Sequence, residues 1–348
     1  MVPEMDLGAD TEIARHDVVD DTTAVVPVGL DRALAGLDHE RRQEIEALIV
    51  RAQEYASASQ AEATVRAYSS DWRDFTSWAD RYGLATLPCS PAACALYLTS
   101  LASRGLKTST VRRRAAAIAR AHRLDGHPSP TVDPGVMNLL EGIARAHGTA
   151  PSKKVALLRD PLLDVVDRID TSTTAGLRDR ALLLLGFAVG LRRSELVALS
   201  VEDLTPSPDG LHVRIAKSKT DQQAVGYELL VLYAAAPNPC PVRALRAWLD
   251  GAGITTGPIF RRVTRTGKVT SPLSPQSVSL IIKRRAADAG LSPQDFAGHS
   301  LRSGYATQAA RDGHRSEQIA DVTRHRDERV LNGYIRAGRD PGDIARVL

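Results

Sequence analysis

The sequence predicts a mainly α-helical protein of two domains, with one small antiparallel β-sheet in the second domain. Apolar residues recur every three to four positions through most of the 348 residues, as they do on the buried face of a helix. The spacing changes to strict alternation at 211–215, which is typical of a strand. A polar segment at 148–155 predicts a linker, because it separates the helical patterns into two groups of domain size.

The first group predicts an N-terminal helical bundle over 31–147. Ser90-Pro91 and Asp133-Pro134 each place a capping side chain before a proline, which predicts that helices begin there. The expected helices start near Asp38, run from Ala61 to Tyr82, from Pro91 to about Gly105, from Thr108 through His122, and from Pro134 to Ala146. Residues 1–30 lack this periodicity and are predicted to form a disordered acidic tail.

The second group predicts a domain over 156–340. Leu211–Ile215 and Val225–Val231 are expected to pair as a β-hairpin around a polar loop. The expected helices are Arg159–Ile169, Arg178–Val189, a short helix from Glu195, Pro241–Ala252, Pro275–Ala289, Leu301–Asp312, Ser316–Thr323 and Glu328–Ile335. Residues 341–348 predict one more short amphipathic helix.

Charge and composition narrow the class of protein. Residues 1–24 hold seven acidic residues and one base, Arg15, so they carry −6 and the rest of the chain carries +10. A body this basic is suited to binding nucleic acid. No apolar run has the length of a membrane span, the N-terminus lacks the pattern of a secretory signal, and the three cysteines form no metal-type pair. We therefore expect a cytoplasmic protein that does not bind membranes.

Five side chains in the second domain suit the chemistry of a phosphodiester. Arg192 follows Gly-Leu, His299 and Arg302 share a His-Ser-Leu-Arg segment, and Tyr334 follows His325 by nine residues. Guanidinium groups match the non-bridging phosphate oxygens through paired hydrogen bonds. A free phenol has a pKa of about 10, so a tyrosine nucleophile needs nearby cations and a group, such as histidine, that takes its proton. The pattern predicts that Tyr334 attacks the phosphorus.

Lysine is scarce, with 7 residues against 38 arginines, yet the predicted hairpin loop holds both Lys217 and Lys219. Because lysine can give up a proton and arginine cannot, Lys219 is the candidate acid for the leaving sugar oxygen. The alternative is a flexible loop that only contacts phosphates. Glu195, one turn after Arg192, is expected to orient a cation or a histidine, or else to form a simple surface pair. No P-loop, His-Glu-x-x-His motif or acidic cluster is present, so we expect neither metal nor cofactor.

Together these residues resemble the tyrosine recombinase (phage integrase) family, and their spacing is similar to that of the Cre-type members. The resemblance covers about residues 155–340, and it implies a 3′-phosphotyrosine intermediate formed without metal or ATP by a bacterial or phage-encoded enzyme. It implies catalytic roles for Arg192, Glu195, Lys219, His299, Arg302, His325 and Tyr334. The N-terminal helices resemble the core-binding domain only in length and pattern. Arg324 departs from the glycine that often precedes the histidine of the third motif.

The resemblance also implies the partners. It predicts double-stranded DNA with paired inverted half-sites, a dimer on each site, a tetramer in the synapse, and docking of residues 341–348 on a neighbouring protomer. The predicted DNA contacts are Lys107, Thr108, Arg112, Arg113 and Arg114 at one helix start, Lys153 and Lys154 in the linker, Lys217 in the hairpin loop, and Ser274, Gln276, Ser277, Lys283 and Arg284 on a helix that the family places in the major groove. The alternative for the first set is a solvated helix face.

Three hypotheses for the function follow. The first is a site-specific recombinase. The second is a phosphotyrosine enzyme with another task, namely a transposon or plasmid integrase or an enzyme similar to type IB topoisomerases. The third is a non-catalytic DNA-binding regulator on the same scaffold, which would have no need to keep the full set of catalytic side chains.

Overall fold

A computed structural model describes residues 38–58, 62–149, 154–215, 226–325 and 328–338. The predicted acidic tail, Lys153, Lys217, Lys219 and the predicted helix at 341–348 lie outside the described residues. The chain divides into two compact units, Met1–Pro151 and Ser152–Leu348. Within the described ranges, no helix combines the length and the apolar character that crossing a membrane requires.

The first unit is helical throughout its described part. Its helices are α1 (His39–Ala58), α2 (Glu62–Arg81), α3 (Pro91–Ser103), α4 (Thr108–Leu124) and α5 (Pro134–His147). The core lies between α2, α3 and α4, where the rings of Phe75 and Tyr97 meet edge to face with their centroids 5.0 Å apart. Each predicted helix of this unit is present, and the bounds differ from the predictions by a few residues at most.

Two side-chain caps account for helix starts that the sequence predicts. The hydroxyl of Ser90 accepts the N–H of Ala93 at 3.1 Å, and the carboxylate of Asp133 accepts the N–H of Gly135 at 2.8 Å. In both helices a proline occupies the first turn, where its missing N–H costs nothing. The predictions that helices begin after Ser90 and Asp133 are confirmed.

The second unit is mostly helical and carries two small antiparallel sheets. Its helices are α6 (Arg159–Asp167), α7 (Thr174–Ala188), α8 (Arg193–Ala198), α9 (Pro241–Ala252), α10 (Pro275–Asp288), α11 (Ser300–Arg311), α12 (Ser316–Thr323) and α13 (Glu328–Gly338). The strands are β1 (Leu204–Ser207), β2 (Gly210–Ile215), β3 (Tyr227–Leu232), β4 (Arg261–Val263) and β5 (Val269–Pro272). The mainly helical fold class is confirmed.

The sheets differ from the prediction in number. Strands β1, β2 and β3 form one sheet in that order, with Val213 opposite both Leu204 and Leu229, and β4 pairs with β5 in a second sheet. The expected hairpin is β2–β3. The sequence did not predict β1, β4 or β5, because these strands have only three or four residues and two of them contain proline.

The sequence predicted that α7 begins at Arg178, but the helix begins earlier, at Thr174. The hydroxyl of Thr173 accepts the N–H of Gly176 at 3.1 Å and so caps the helix one turn earlier. Residues 181–186 are all buried, so α7 is enclosed by the unit on every side. A helix in this position is a fixed support for the segment that follows it.

The turn after α7 needs its glycine. Gly190 has φ +54°, and a Cβ there would lie 3.1 Å from the Thr323 methyl carbon Cγ2 and 3.2 Å from Cδ1 of Tyr305. A side chain would therefore be strained by the backbone and crowded by its neighbours. The turn brings the chain directly from the buried helix to Arg192, at the start of α8.

Candidate active site

Arg192 is held by a residue of its own helix start. Glu195, which is buried, accepts the backbone N–H of Arg192 at 2.8 Å through Oε2 and the Nη1 of Arg192 at 2.6 Å through Oε1. One carboxylate thus caps α8 and fixes the direction of the guanidinium. The structure gives Glu195 the orienting contact that the sequence predicts for it.

Arg302 lies at the centre of the site and is almost fully buried, with 1% of its surface exposed. Its Nη1 donates to the carbonyl of Gly190 at 2.8 Å, whereas its Nη2 is buried without a hydrogen-bond partner among the described residues. Burial and then the charge of Arg192 lower the pKa of Arg302 to about 9, so the group remains charged at neutral pH. A buried cation with an unused donor is suited to receive an anion.

A third arginine, Arg324, enters the same cluster. Its Nη2 donates to Oε2 of Glu195 at 2.7 Å, and its carbonyl accepts Nη2 of Arg192 at 3.3 Å. Burial of Glu195 opposes ionisation, but the charge of Arg324 and the hydrogen bonds from Arg192 outweigh it and lower the pKa of Glu195. Arg324 stood out in the sequence only as a departure from the family pattern.

His325 is fixed by Thr323. The hydroxyl of Thr323 donates to the carbonyl of Ile319 at 2.6 Å, and the same oxygen lies 2.7 Å from Nδ1 of His325. Because the single hydroxyl hydrogen is already used, Nδ1 must donate and the Nε2 of the neutral ring carries the lone pair. Burial, followed by the charges of Arg302 and Arg192, lowers the pKa of His325 to about 4, so the ring is neutral at physiological pH.

Tyr334 lies on α13 and packs, half-buried, against the apolar cluster that includes Ala306 and Leu331. Its ring centroid is 5.7 Å from that of His325. His299 is exposed at the start of α11, and its charge contributes to the lowered pKa of His325. The structure thus brings both predicted histidines and the predicted nucleophile close to Arg302 and Arg192, all within one chain.

The predicted DNA contacts on α4 have different surroundings. Lys107 and Arg112 are exposed, whereas Arg113 pairs with Asp71 and Arg114 pairs with Asp74. Thr108 is buried, and its hydroxyl donates to the carbonyl of Gly148 at 2.7 Å. Three of the five predicted contacts therefore have a structural role within the first unit, which the spacing of basic residues in the sequence could not reveal.

The predicted contacts on α10 also differ in their exposure and in their partners. Gln276 is exposed near the helix start, which Ser274 caps by accepting the N–H of Ser277 at 3.2 Å. Arg284 pairs with the buried Asp179 at 2.6 Å, although half of its side chain remains exposed. Lys283 is half-buried on the same helix. In the predicted linker, Nζ of Lys154 donates to the carbonyl of Gln294 at 2.7 Å.

Comparison with protein families decides which kind of enzyme this site belongs to. Residues 159–339 match the model of the phage integrase family, and residues 53–124 match that of the phage integrase N-terminal SAM-like domain. The first match spans more than half of the chain and includes all the clustered side chains. The chain belongs to the phage integrase family. As a tyrosine recombinase it is an enzyme that cleaves and rejoins DNA, and the alternative of a non-catalytic regulator is wrong.

Two curated relatives show how close the likeness is. The recombinase is 40% identical over 297 residues to an integrase/recombinase XerD homolog of Selenomonas ruminantium, covering 84% of this chain and 87% of the relative. It is 23% identical over 296 residues to the Cre recombinase of Escherichia phage P1, covering 79% of this chain and 84% of the relative. The family prediction is confirmed, and the likeness to the XerD homolog is stronger than that to Cre.

Two solved structures have a similar fold. One is the XerH recombinase bound to a palindromic difH substrate after cleavage, with a TM-score of 0.59, 16% identity, and coverage of 86% of this chain and 82% of that chain. The other is a λ integrase (75–356) dimer bound to a COC′ core site, with a TM-score of 0.57, 19% identity, and coverage of 83% and 94%. At these identities the likeness concerns the fold of the tyrosine recombinases.

Proposed function

We propose that this recombinase cuts each strand by attack of the Tyr334 hydroxyl on a phosphodiester, which leaves a 3′-phosphotyrosine bond and a free 5′-hydroxyl. In the reverse step a 5′-hydroxyl attacks that bond and restores the phosphodiester, so the bond energy is kept and no ATP is consumed. The observation that carries the proposal is the buried Arg302, whose Nη2 lacks a partner among the described residues. Tyr334 lies in the same site, within the range of the charge of Arg302.

The charge of the site supports this chemistry. Two arginines pair with the carboxylate of Glu195 and a third lies within the range of its charge, which leaves a net charge of +2 on these four side chains. These arginines are Arg192, Arg302 and Arg324. The transition state of phosphoryl transfer carries more negative charge on the non-bridging oxygens than the bound phosphodiester does. A pre-formed positive site in a water-poor environment stabilises that difference.

His325 is the candidate acceptor of the phenolic proton. Its Nε2 carries a lone pair in the DNA-free protein, because Nδ1 donates to Thr323. The negative charge of a bound phosphate offsets the charges of Arg302 and Arg192. This raises the proton affinity of the imidazole once the substrate is bound. His299 is the second candidate, since it is exposed at the edge of the same site.

Replacement of Thr323 by valine tests the tautomer that this role requires. The change keeps the shape of the side chain but removes the acceptor for Nδ1, so cleavage should slow by about tenfold, less than the roughly 10²-fold or greater cost of losing a proton-transfer group. Nitrogen NMR of His325 should show that the neutral ring no longer prefers Nδ1–H. Thr307→Val is the matched control, because Thr307 is equally buried and its hydroxyl has no hydrogen-bond partner among the described residues. Equal rates in the two variants would contradict the role of Thr323.

We also propose that Lys219 donates the proton to the departing 5′ oxygen, on the strength of its place in the family motif. Lys219→Ala should lose most of its cleavage of ordinary DNA and regain it on a substrate with a 5′-bridging sulfur, since a thiolate leaves without protonation. Lys268→Ala, which removes an exposed lysine of the β4–β5 hairpin, is the control and should cleave both substrates normally. If the sulfur substrate restored no activity, Lys219 would not be the acid.

We propose that the recombinase binds double-stranded DNA as a dimer on paired inverted half-sites, and that dimers join in a tetrameric synapse with residues 341–348 docked on a neighbour. The XerH and λ integrase structures support this, since the one contains a palindromic substrate and the other a dimer on a core site. Sedimentation should show two protomers on a full site and one on a half-site. A single protomer on both DNAs would refute the arrangement.

The predicted DNA contacts supply the surface for this proposal. The best supported are Lys107, Arg112, Gln276 and Lys283, which are wholly or partly exposed. Phosphate contacts should dominate the affinity and make it fall steeply with salt.

A further inference from the structure

Arg324 occupies a backbone conformation that disfavours a side chain. It ends α12 with φ 54° and ψ 47°, and among the described residues no other residue besides glycines has a positive φ. Glycine adopts this left-handed conformation without the clash that a Cβ introduces. A large, charged side chain at this position therefore requires an explanation from its contacts.

The side chain of Arg324 spans three elements of the second unit and is only 10% exposed. Its Nη2 donates to Glu195 on α8 at 2.7 Å, and its Nη1 donates to the carbonyl of Val322 on α12 at 3.1 Å. Its guanidinium carbon lies 5.8 Å from the ring centroid of Tyr227, the first residue of β3. The side chain thus holds the start of α8, the end of α12 and the start of β3 together.

The contact with Glu195 has an electrostatic consequence. Glu195 already accepts the backbone N–H and the Nη1 of Arg192, so without another cation its charge would cancel that of Arg192. Arg324 shares the same carboxylate, which leaves a net +1 on this group of three side chains. A phosphate in the site then meets an arginine whose charge is not already neutralised.

We propose that Arg324 is a positioning residue for strand cleavage: it neutralises Glu195, so that Glu195 can orient Arg192 without cancelling its charge toward the scissile phosphate. This rests on the proposed role of Arg192 and Arg302 as phosphate ligands. The lowered pKa of Glu195, to which the charge of Arg324 contributes, agrees with the proposal. Arg324 acts through Glu195, since its Nη2 and Nη1 already donate to Glu195 and to the carbonyl of Val322.

In the variant Arg324→Gly the backbone strain at this position is relieved while the buried contacts of the guanidinium are lost, so cleavage is compared under conditions in which urea unfolding shows both proteins to be folded. Single-turnover cleavage should fall by about tenfold or more, as for a lost electrostatic contact to a reacting phosphate. Arg324→Lys should recover part of the rate. Because Arg324 is proposed to act through Glu195, the dependence of DNA affinity on salt should keep its slope; a slope reduced by about one unit would show a direct phosphate contact and overturn the proposal.

A double-mutant cycle with Glu195→Gln gives the decisive comparison. Without the carboxylate there is no charge to neutralise, so Arg324→Gly should change the cleavage rate of the Glu195→Gln protein by no more than about twofold. Equal losses in both backgrounds, or no loss in the parent, would overturn the proposal. Formation of a Tyr334 adduct by the unsubstituted protein is scored in parallel. Its absence would refute the proposed function itself, whereas an adduct that forms equally fast in Arg324→Gly would refute only the role of Arg324.

Discussion

Replacing Tyr334 by phenylalanine should abolish covalent attachment to DNA and leave DNA binding intact. The change removes one hydroxyl and keeps the ring that packs in the cluster with Leu331. Phenylalanine has no oxygen with which to attack the phosphorus, so the expected loss is complete within detection. The measurement is denaturing electrophoresis of the protein with a nicked suicide substrate, together with DNA affinity by fluorescence anisotropy.

Tyr305→Phe is the matched control for this experiment. Tyr305 belongs to the same apolar cluster and lies three residues after Arg302, but the proposed mechanism assigns its hydroxyl no step. The control should form the adduct at the rate of the unsubstituted protein. An adduct that survives in Tyr334→Phe would remove Tyr334 from the mechanism.

Substituting Arg302 by lysine should reduce cleavage by about 10²–10³-fold, the usual cost of losing one donor to a charged transition state. Lysine keeps the positive charge and can still reach the carbonyl of Gly190, but it lacks the second planar nitrogen that is available for the phosphate. Stability should therefore change much less than activity. Single-turnover cleavage and the midpoint of urea unfolding measure the two effects separately.

A buried arginine elsewhere in the second unit provides the comparison. Arg178 is 5% exposed, and its Nε and Nη2 both donate to Asp179, at 2.9 and 2.7 Å. Arg178→Lys should lower the urea midpoint and leave the cleavage step unchanged, because its partners are protein groups. The proposed role of Arg302 would be contradicted if the ratio of the loss in cleavage rate to the loss in urea midpoint were the same for Arg302→Lys as for Arg178→Lys.

Local features of the sequence were enough to predict most of the fold. Ser90 and Asp133 indicate helix starts in the sequence, because each makes its capping contact within three residues. Helices α9 and α12 have the predicted bounds. Thr173 was missed as a cap because the strong apolar pattern of α7 starts after it. Strands as short as β4 and β5 are stabilised by pairing with each other and leave no alternation to detect.

The sequence predicted the site residues that lie in recognisable motifs. It did not predict the roles that depend on tertiary contacts. The segments around Arg192, Arg302 and Tyr334 have a recognisable spacing. By contrast, Arg324 meets Glu195 across 129 positions of sequence, and this contact gives it a role that no local pattern indicates. Similarly, Arg114 resembles a DNA contact in the sequence but forms ion pairs with Asp71 and Asp74 inside its own unit.

The most direct test of the mechanism is to trap the covalent complex on a suicide substrate, digest it with protease and nuclease, and locate the modified residue by mass spectrometry. The expected product is one modified peptide, with a 3′-linked nucleotide on the phenolic oxygen of Tyr334 and a free 5′-hydroxyl on the released strand. A nucleotide attached to any other side chain, or joined through its 5′ phosphate, would contradict the mechanism.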